Sequence, residues 1–168
     1  MVEITFEIML STLQTVSIII GIFYYLTILR NTQKTRRAEN LRWFLEDRSN
    51  EEKILKYAWA MNLKWDNYED FQSKFGRDTN PETWSRLWSF LVKWDDIGLM
   101  VNRNVIDIAD LYELSGRSIP SIWMKYKPII EEVRKRDDST SMLWFQHLIE
   151  EMQKESNRRG DNYLSNIT

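Results

Sequence analysis

Residues Ile8 to Leu29, IMLSTLQTVSIIIGIFYYLTIL, form 22 consecutive positions without a charge, bounded by Glu7 and Arg30. At a helical rise of about 1.5 Å per residue the run covers roughly 33 Å, enough to cross a hydrocarbon core of about 30 Å. A buried helix of a soluble domain rarely stays uncharged on every face for that length. A cleaved signal peptide needs cations before the apolar stretch and a small-residue cleavage site after it. Here the leader carries Glu3 and Glu7, and Arg30, Lys34, Arg36 and Arg37 follow the run. The sequence therefore predicts a transmembrane helix over 8–29.

The same flanks predict orientation. Basic residues close to a span are retained on the cytoplasmic side, and the cluster Arg30, Lys34, Arg36 and Arg37 lies after the helix. The short N-terminus, 1–7, is thus expected outside, and the rest of the chain in the cytoplasm as a single-pass protein of the cell membrane. Phe6 would mark the outer interface and Tyr24 with Tyr25 the inner one. The basic cluster can also attract anionic membrane lipid. Within the span, Gln14, Ser17 and Gly21 are three and four apart and share a face. Ser17 and Gly21 make a small-xxx-small pair, which lets two helices approach closely, and a glutamine amide in hydrocarbon gains from a partner. This predicts packing against another membrane protein subunit or a second copy. The plain alternative is that the polar groups are tolerated, their hydroxyls bonding back to their own helix.

Charge bounds the remainder. All 23 Lys and Arg lie at or after Arg30, and two of the 25 acids precede the span, leaving 23 acids against 23 bases. A neutral domain lacks the basic surplus that general nucleic-acid binding requires. There are no cysteines, which removes disulfides and thiolate chemistry.

Periodicity predicts an all-α chain: the span continues as a helical stalk over 30–48, followed by a compact cytoplasmic bundle of five to six helices over 49–155 and a flexible polar tail over 156–168. Ala38, Leu41 and Leu45 keep helical spacing beside Trp43 and Phe44, so the stalk is expected to pack on the domain. Ser49 with Glu52 reads as a capping box. A short helix over 66–75 is expected to stop at Gly76. The strongest start signal is Asn80-Pro81-Glu82, which opens an amphipathic helix of about twenty residues carrying Trp84, Leu87, Trp88, Leu91, Trp94 and Leu99. Asp107 caps a short helix that ends at Gly116. Another helix starts near Ser118, with a kink or break predicted at Pro128. A last helix is expected over 139–155.

The stretches WDNYEDFQSKFG (65–76), NPETW from Asn80, WDDIGLMVNRNVID (94–107), LYELSG, IWMKYKPIIEEVRKR and WFQHLIEEM resemble the membrane-anchored helical family catalogued as domain of unknown function 4760. The resemblance implies one N-terminal spanning helix and a cytoplasmic all-α domain. It carries over no reaction and no site residue. This chain departs from the pattern at Gln146 and His147, where an acid or an aromatic residue is expected.

Candidate chemistry is sparse. His147 is the one histidine, four residues before Glu151, and no nucleophile accompanies the pair. The pairs Asp95-Asp96, Asp107-Asp110 and Glu131-Glu132 lack the spacing of a calcium loop and read as caps and solvated faces. The eight tryptophans follow helical core stripes rather than a stacking platform, with Trp65 the least accounted for. No metal site, cofactor or small-molecule ligand is indicated. The reading that follows is a non-enzymatic, membrane-anchored interaction module, an accessory or scaffold subunit of a membrane complex. Two rivals remain: a regulatory sensor working through the helix around Pro128, and a tethered enzyme using a carboxylate–His147 metal site.

Overall fold

The computed structural model describes residues 6–161. Among them lie seven helices and no strand: α1 (Phe6–Ser49), α2 (Glu51–Asn62), α3 (Tyr68–Phe75), α4 (Pro81–Asn102), α5 (Ile108–Ser115), α6 (Ser118–Arg136) and α7 (Leu143–Arg159). The chain divides into one unit ending at Glu39 and another beginning at Asn40. In α1 the helix runs without interruption through the apolar segment and the expected stalk, as the absence of Pro and of a second Gly there requires. The side chains of Ala38, Leu41, Trp43, Phe44 and Leu45 lie outside the described residues, as do those of Lys34, Arg36 and Arg37.

The second unit is built around α4, which packs along α7, while α5 and α6 also meet α7 and α3 meets α4 and α6. The start of α4 is the one its sequence signals: the Asn80 side chain accepts the Thr83 N–H at 3.1 Å and Pro81 opens the first turn. Its apolar stripe buries Leu87, Leu91, Trp94 and Ile97 in one core with Phe145, Leu148 and Met152 of α7 and Ile122 and Tyr126 of α6. Trp84 and Trp88 stack at 4.8 Å on the edge of that core. Trp65 also joins it, 5.2 Å from the Phe71 ring and 5.3 Å from Tyr126.

Two local expectations are corrected, and at Pro128 the expected kink or break is not a break. The cap of α2 is Asn50, whose Oδ1 accepts the Glu52 and Lys53 N–H groups, so α1 continues through Ser49 and no Ser49 box forms. Helix α6 passes through Pro128 without a break. Pro128 and the residue four before it, Met124, are exposed, so the carbonyl left without a donor can be hydrated. The second correction concerns α7, which begins at Leu143 rather than near Ser139 and extends to Arg159, past the expected tail boundary; Ser156 is fully buried. Residues 162–168 of that tail lie outside the described ones.

The late start of α7 has a physical cause. Met142 sits in the left-handed region at φ 56°, which ends the preceding turn, and it offers no side-chain cap. Two neighbours supply what is missing. Asp95, reaching from α4, accepts the Phe145 N–H at 2.8 Å and also the Trp144 N–H. Arg134, from α6, donates to the Ser141 and Met142 carbonyls at 2.7 and 2.9 Å and to Gln146 at 2.6 Å. Burial pushes the Asp95 carboxyl above its ordinary range, against the pull of the two N–H donors. A raised carboxyl binds its proton more tightly folded than unfolded, so this group favours folding at low pH and the gain fades as pH rises past its folded value. Asp95→Asn keeps an acceptor without the buried charge and is expected to leave stability within about 0.5 kcal/mol while flattening that slope. Asp95→Ala is expected to cost about 1–2 kcal/mol as a lost cap. Thermal melts of both variants across pH 4 to 7, taken as a range of about three units around the usual carboxylate values, check this.

Candidate functional site

The longest run of exposed apolar side chains among the described residues is the apolar part of α1. Ile8–Thr32 is long and apolar enough to cross a membrane, and none of it is buried. Leu29, the most covered of its large apolar side chains, is still 41% exposed, and Phe23 is 68% exposed. Exposed apolar surface costs about 25 cal/mol per Å² relative to an apolar surrounding, so a helix this uniformly bare gains by leaving water. Near an N-terminus, a span and a signal sequence share these properties.

Along this helix the hydroxyls are satisfied from within. Thr12 donates to the Ile8 carbonyl at 2.7 Å, Thr15 to Ser11 at 2.9 Å, Ser17 to Leu13 at 2.8 Å and Thr27 to Phe23 at 2.8 Å. The back-bonding alternative therefore accounts for Ser17. It does not account for Gln14, whose exposed amide has no hydrogen-bond partner among the described residues. Gly21 is open as well: a Cβ built there would meet nothing within 4 Å. Gln14, Ser17 and Gly21 fall on one exposed face of α1, as their spacing requires. Arg30 is exposed on the same helix.

Several candidate chemical groups of the second unit make contacts within it. His147 is half-buried and meets the Trp144 ring edge-on at 6.1 Å. Glu151, its expected companion, pairs with Lys154 at 2.7 Å. Asp107 caps α5 through the Ala109 N–H at 2.8 Å. Glu132 pairs with Lys135 and Arg136, and Arg136 also bridges to Glu69 of α3 at 2.8 Å. Glu155, buried near the end of α7, accepts from Arg158 and Arg159, which hold its carboxyl down at about 2. Among the described residues no group of three His, Asp or Glu is arranged to hold a metal ion.

Sequence reasoning missed the roles of Asp95, Lys125 and Arg134. Lys125 donates to the Met61 and Leu63 carbonyls at 2.6 and 2.7 Å and lies 4.9 Å over the Trp65 ring. The Lys125 and Asp95 contacts join residues 50 or more positions apart, and those of Arg134 cross from α6 to the start of α7, so no pattern within one helix announces them.

A family model described as Domain of unknown function (DUF4760) matches residues 11–152. No curated protein and no solved structure matches the chain.

Proposed function

The chain belongs to the DUF4760 family, and on that premise we propose that it is a single-pass, membrane-anchored protein-interaction module, an accessory or scaffold subunit of a membrane protein complex. The carrying observation is the bare apolar helix Ile8–Thr32, with Gln14, Ser17 and Gly21 exposed on one face. The family match begins at residue 11, inside that helix, which supports a lasting part of the domain over a removable leader. Arg30 and the basic positions after it favour a cytoplasmic location for the helical unit, with the N-terminus outside. The face of Gln14, Ser17 and Gly21 takes a second transmembrane helix, from another subunit or another copy.

An interhelical contact of this kind contributes about 0.6–2 kcal/mol, a three- to thirtyfold change in association. In native membranes, Gln14→Leu combined with Gly21→Leu is expected to reduce cross-linking of the full chain to its neighbours by about that factor while leaving it membrane-bound. Unchanged cross-linking overturns the proposed packing face.

A further inference from the structure

Where α2 lies beside α4, two basic side chains stand without a carboxylate. Lys56 donates to the Ser89 hydroxyl at 2.9 Å, joining the two helices. One turn earlier along α4, the Arg86 guanidinium lies 4.5 Å over the Trp59 ring. Among the described residues neither Lys56 nor Arg86 forms an ion pair. Lys53 and Lys93 add positive charge close to Lys56, whose ammonium is destabilised by burial first and then by Lys53, Arg86 and Lys93; Glu52 is the opposing acid. Leu55 shares the Trp59 face of α2 at i,i+4 spacing and is 60% exposed. The seam thus sets two cations, Lys56 and Arg86, beside an apolar edge, on a unit that from Asn40 onward carries 19 bases against 22 acids.

We propose that this α2–α4 seam docks an acidic segment of another polypeptide, with carboxylates meeting Lys56 and Arg86 and an apolar side chain meeting Leu55 and Trp59. The proposal rests on the interaction-module reading and names its cytoplasmic contact. Charge selects the occupant. A second copy related by a twofold axis would set the same cations against each other. An anionic lipid surface would have to accept Glu51 and Glu52, both exposed in the first turn of α2, with Glu51 one turn from Leu55. A peptide can place its acids opposite Lys56 and Arg86 and leave Glu51 and Glu52 in water. The arginine stacked on an aromatic ring keeps its planar fork available for a bidentate carboxylate.

The test places photoreactive benzoylphenylalanine at position 55 of the full chain in its native membranes. A second site at position 124, on the exposed Met124 of α6, serves as the comparison. The expected adduct at 55 maps by mass spectrometry to a peptide of another protein carrying clustered Asp or Glu. Its yield falls about tenfold in Lys56→Glu with Arg86→Glu, with any adduct at 124 unaffected. Lys56→Gln with Arg86→Gln, checked for an unchanged melting temperature, gives the same direction should charge reversal disturb folding. No adduct at 55 above that at 124, an adduct to lipid or to a second copy, or a yield indifferent to both pairs of substitutions overturns the proposal. If cross-linking that depends on Gln14 persists while position 55 is silent, the seam alone is wrong. If both are lost, the anchored-module reading falls with it.

Discussion

Gly98→Ala is expected to destabilise the helical unit by about 3 kcal/mol or more, or to prevent it from folding. Gly98 lies inside α4 where that helix meets α7 most closely: a Cβ there would come within 2.0 Å of the Trp144 carbonyl oxygen and 2.5 Å of its carbon. These are backbone atoms at the first turn of α7, the turn that Asp95 and Arg134 already hold in place. They cannot give way as a flexible side chain would, so the helices must separate and open the shared core. Gly21→Ala in α1 is the matched control. It also adds a methyl to a helical glycine, but nothing lies within 4 Å of it, and it is expected to leave the melting temperature of the helical unit unchanged. Circular-dichroism melts of the two variants in mild detergent read the difference. A loss of about 10 °C for Gly98→Ala corresponds to the expected cost.

Tyr126→Ala is expected to cost about 3–5 kcal/mol, and Tyr126→Phe about 1 kcal/mol. Tyr126 is fully buried in α6, and its hydroxyl donates to the Ala60 carbonyl at 2.6 Å. Ala60 belongs to the last turn of α2, where carbonyls lack an intrahelical donor, so this bond and those from Lys125 to Met61 and Leu63 finish the helix. The alanine variant removes the ring packed on Trp65 together with the hydroxyl; the phenylalanine variant leaves the ring and orphans the Ala60 carbonyl. Denaturant melts that place the two variants at the same stability would contradict this account. Burial also pushes the Tyr126 phenol well above its ordinary range, so it stays a donor at any ordinary pH.

What the sequence disclosed was local. The opening of α4 is written in three adjacent residues, Asn80-Pro81-Glu82, and the α5 cap in Asp107, because a cap needs only the side chain and the next turn. The apolar run was legible for the same reason, as a property of consecutive residues. The cap of α2 was misread by one position because Ser49 and Asn50 are both good capping residues and only Asn50 stands outside the helix. The start of α7 was not legible, since its cap comes from Asp95, fifty residues away on α4. That Pro128 stays within one helix and faces solvent is not written in local rules. Of the candidate site, the shared face of Gln14, Ser17 and Gly21 followed from spacing alone. That Ser17 is satisfied and Gln14 is not required the structure. The α2–α4 seam could not be read from sequence, because Lys56 and Arg86 become neighbours only through helix packing.

The central claim is that the helix Ile8–Thr32 lies in lipid. Its most direct test is alkaline carbonate extraction of native membranes followed by ultracentrifugation, comparing the full chain with one lacking residues 8–29. The account predicts that the full chain stays in the pellet and the shortened chain moves to the supernatant. A full chain recovered in the supernatant would contradict it.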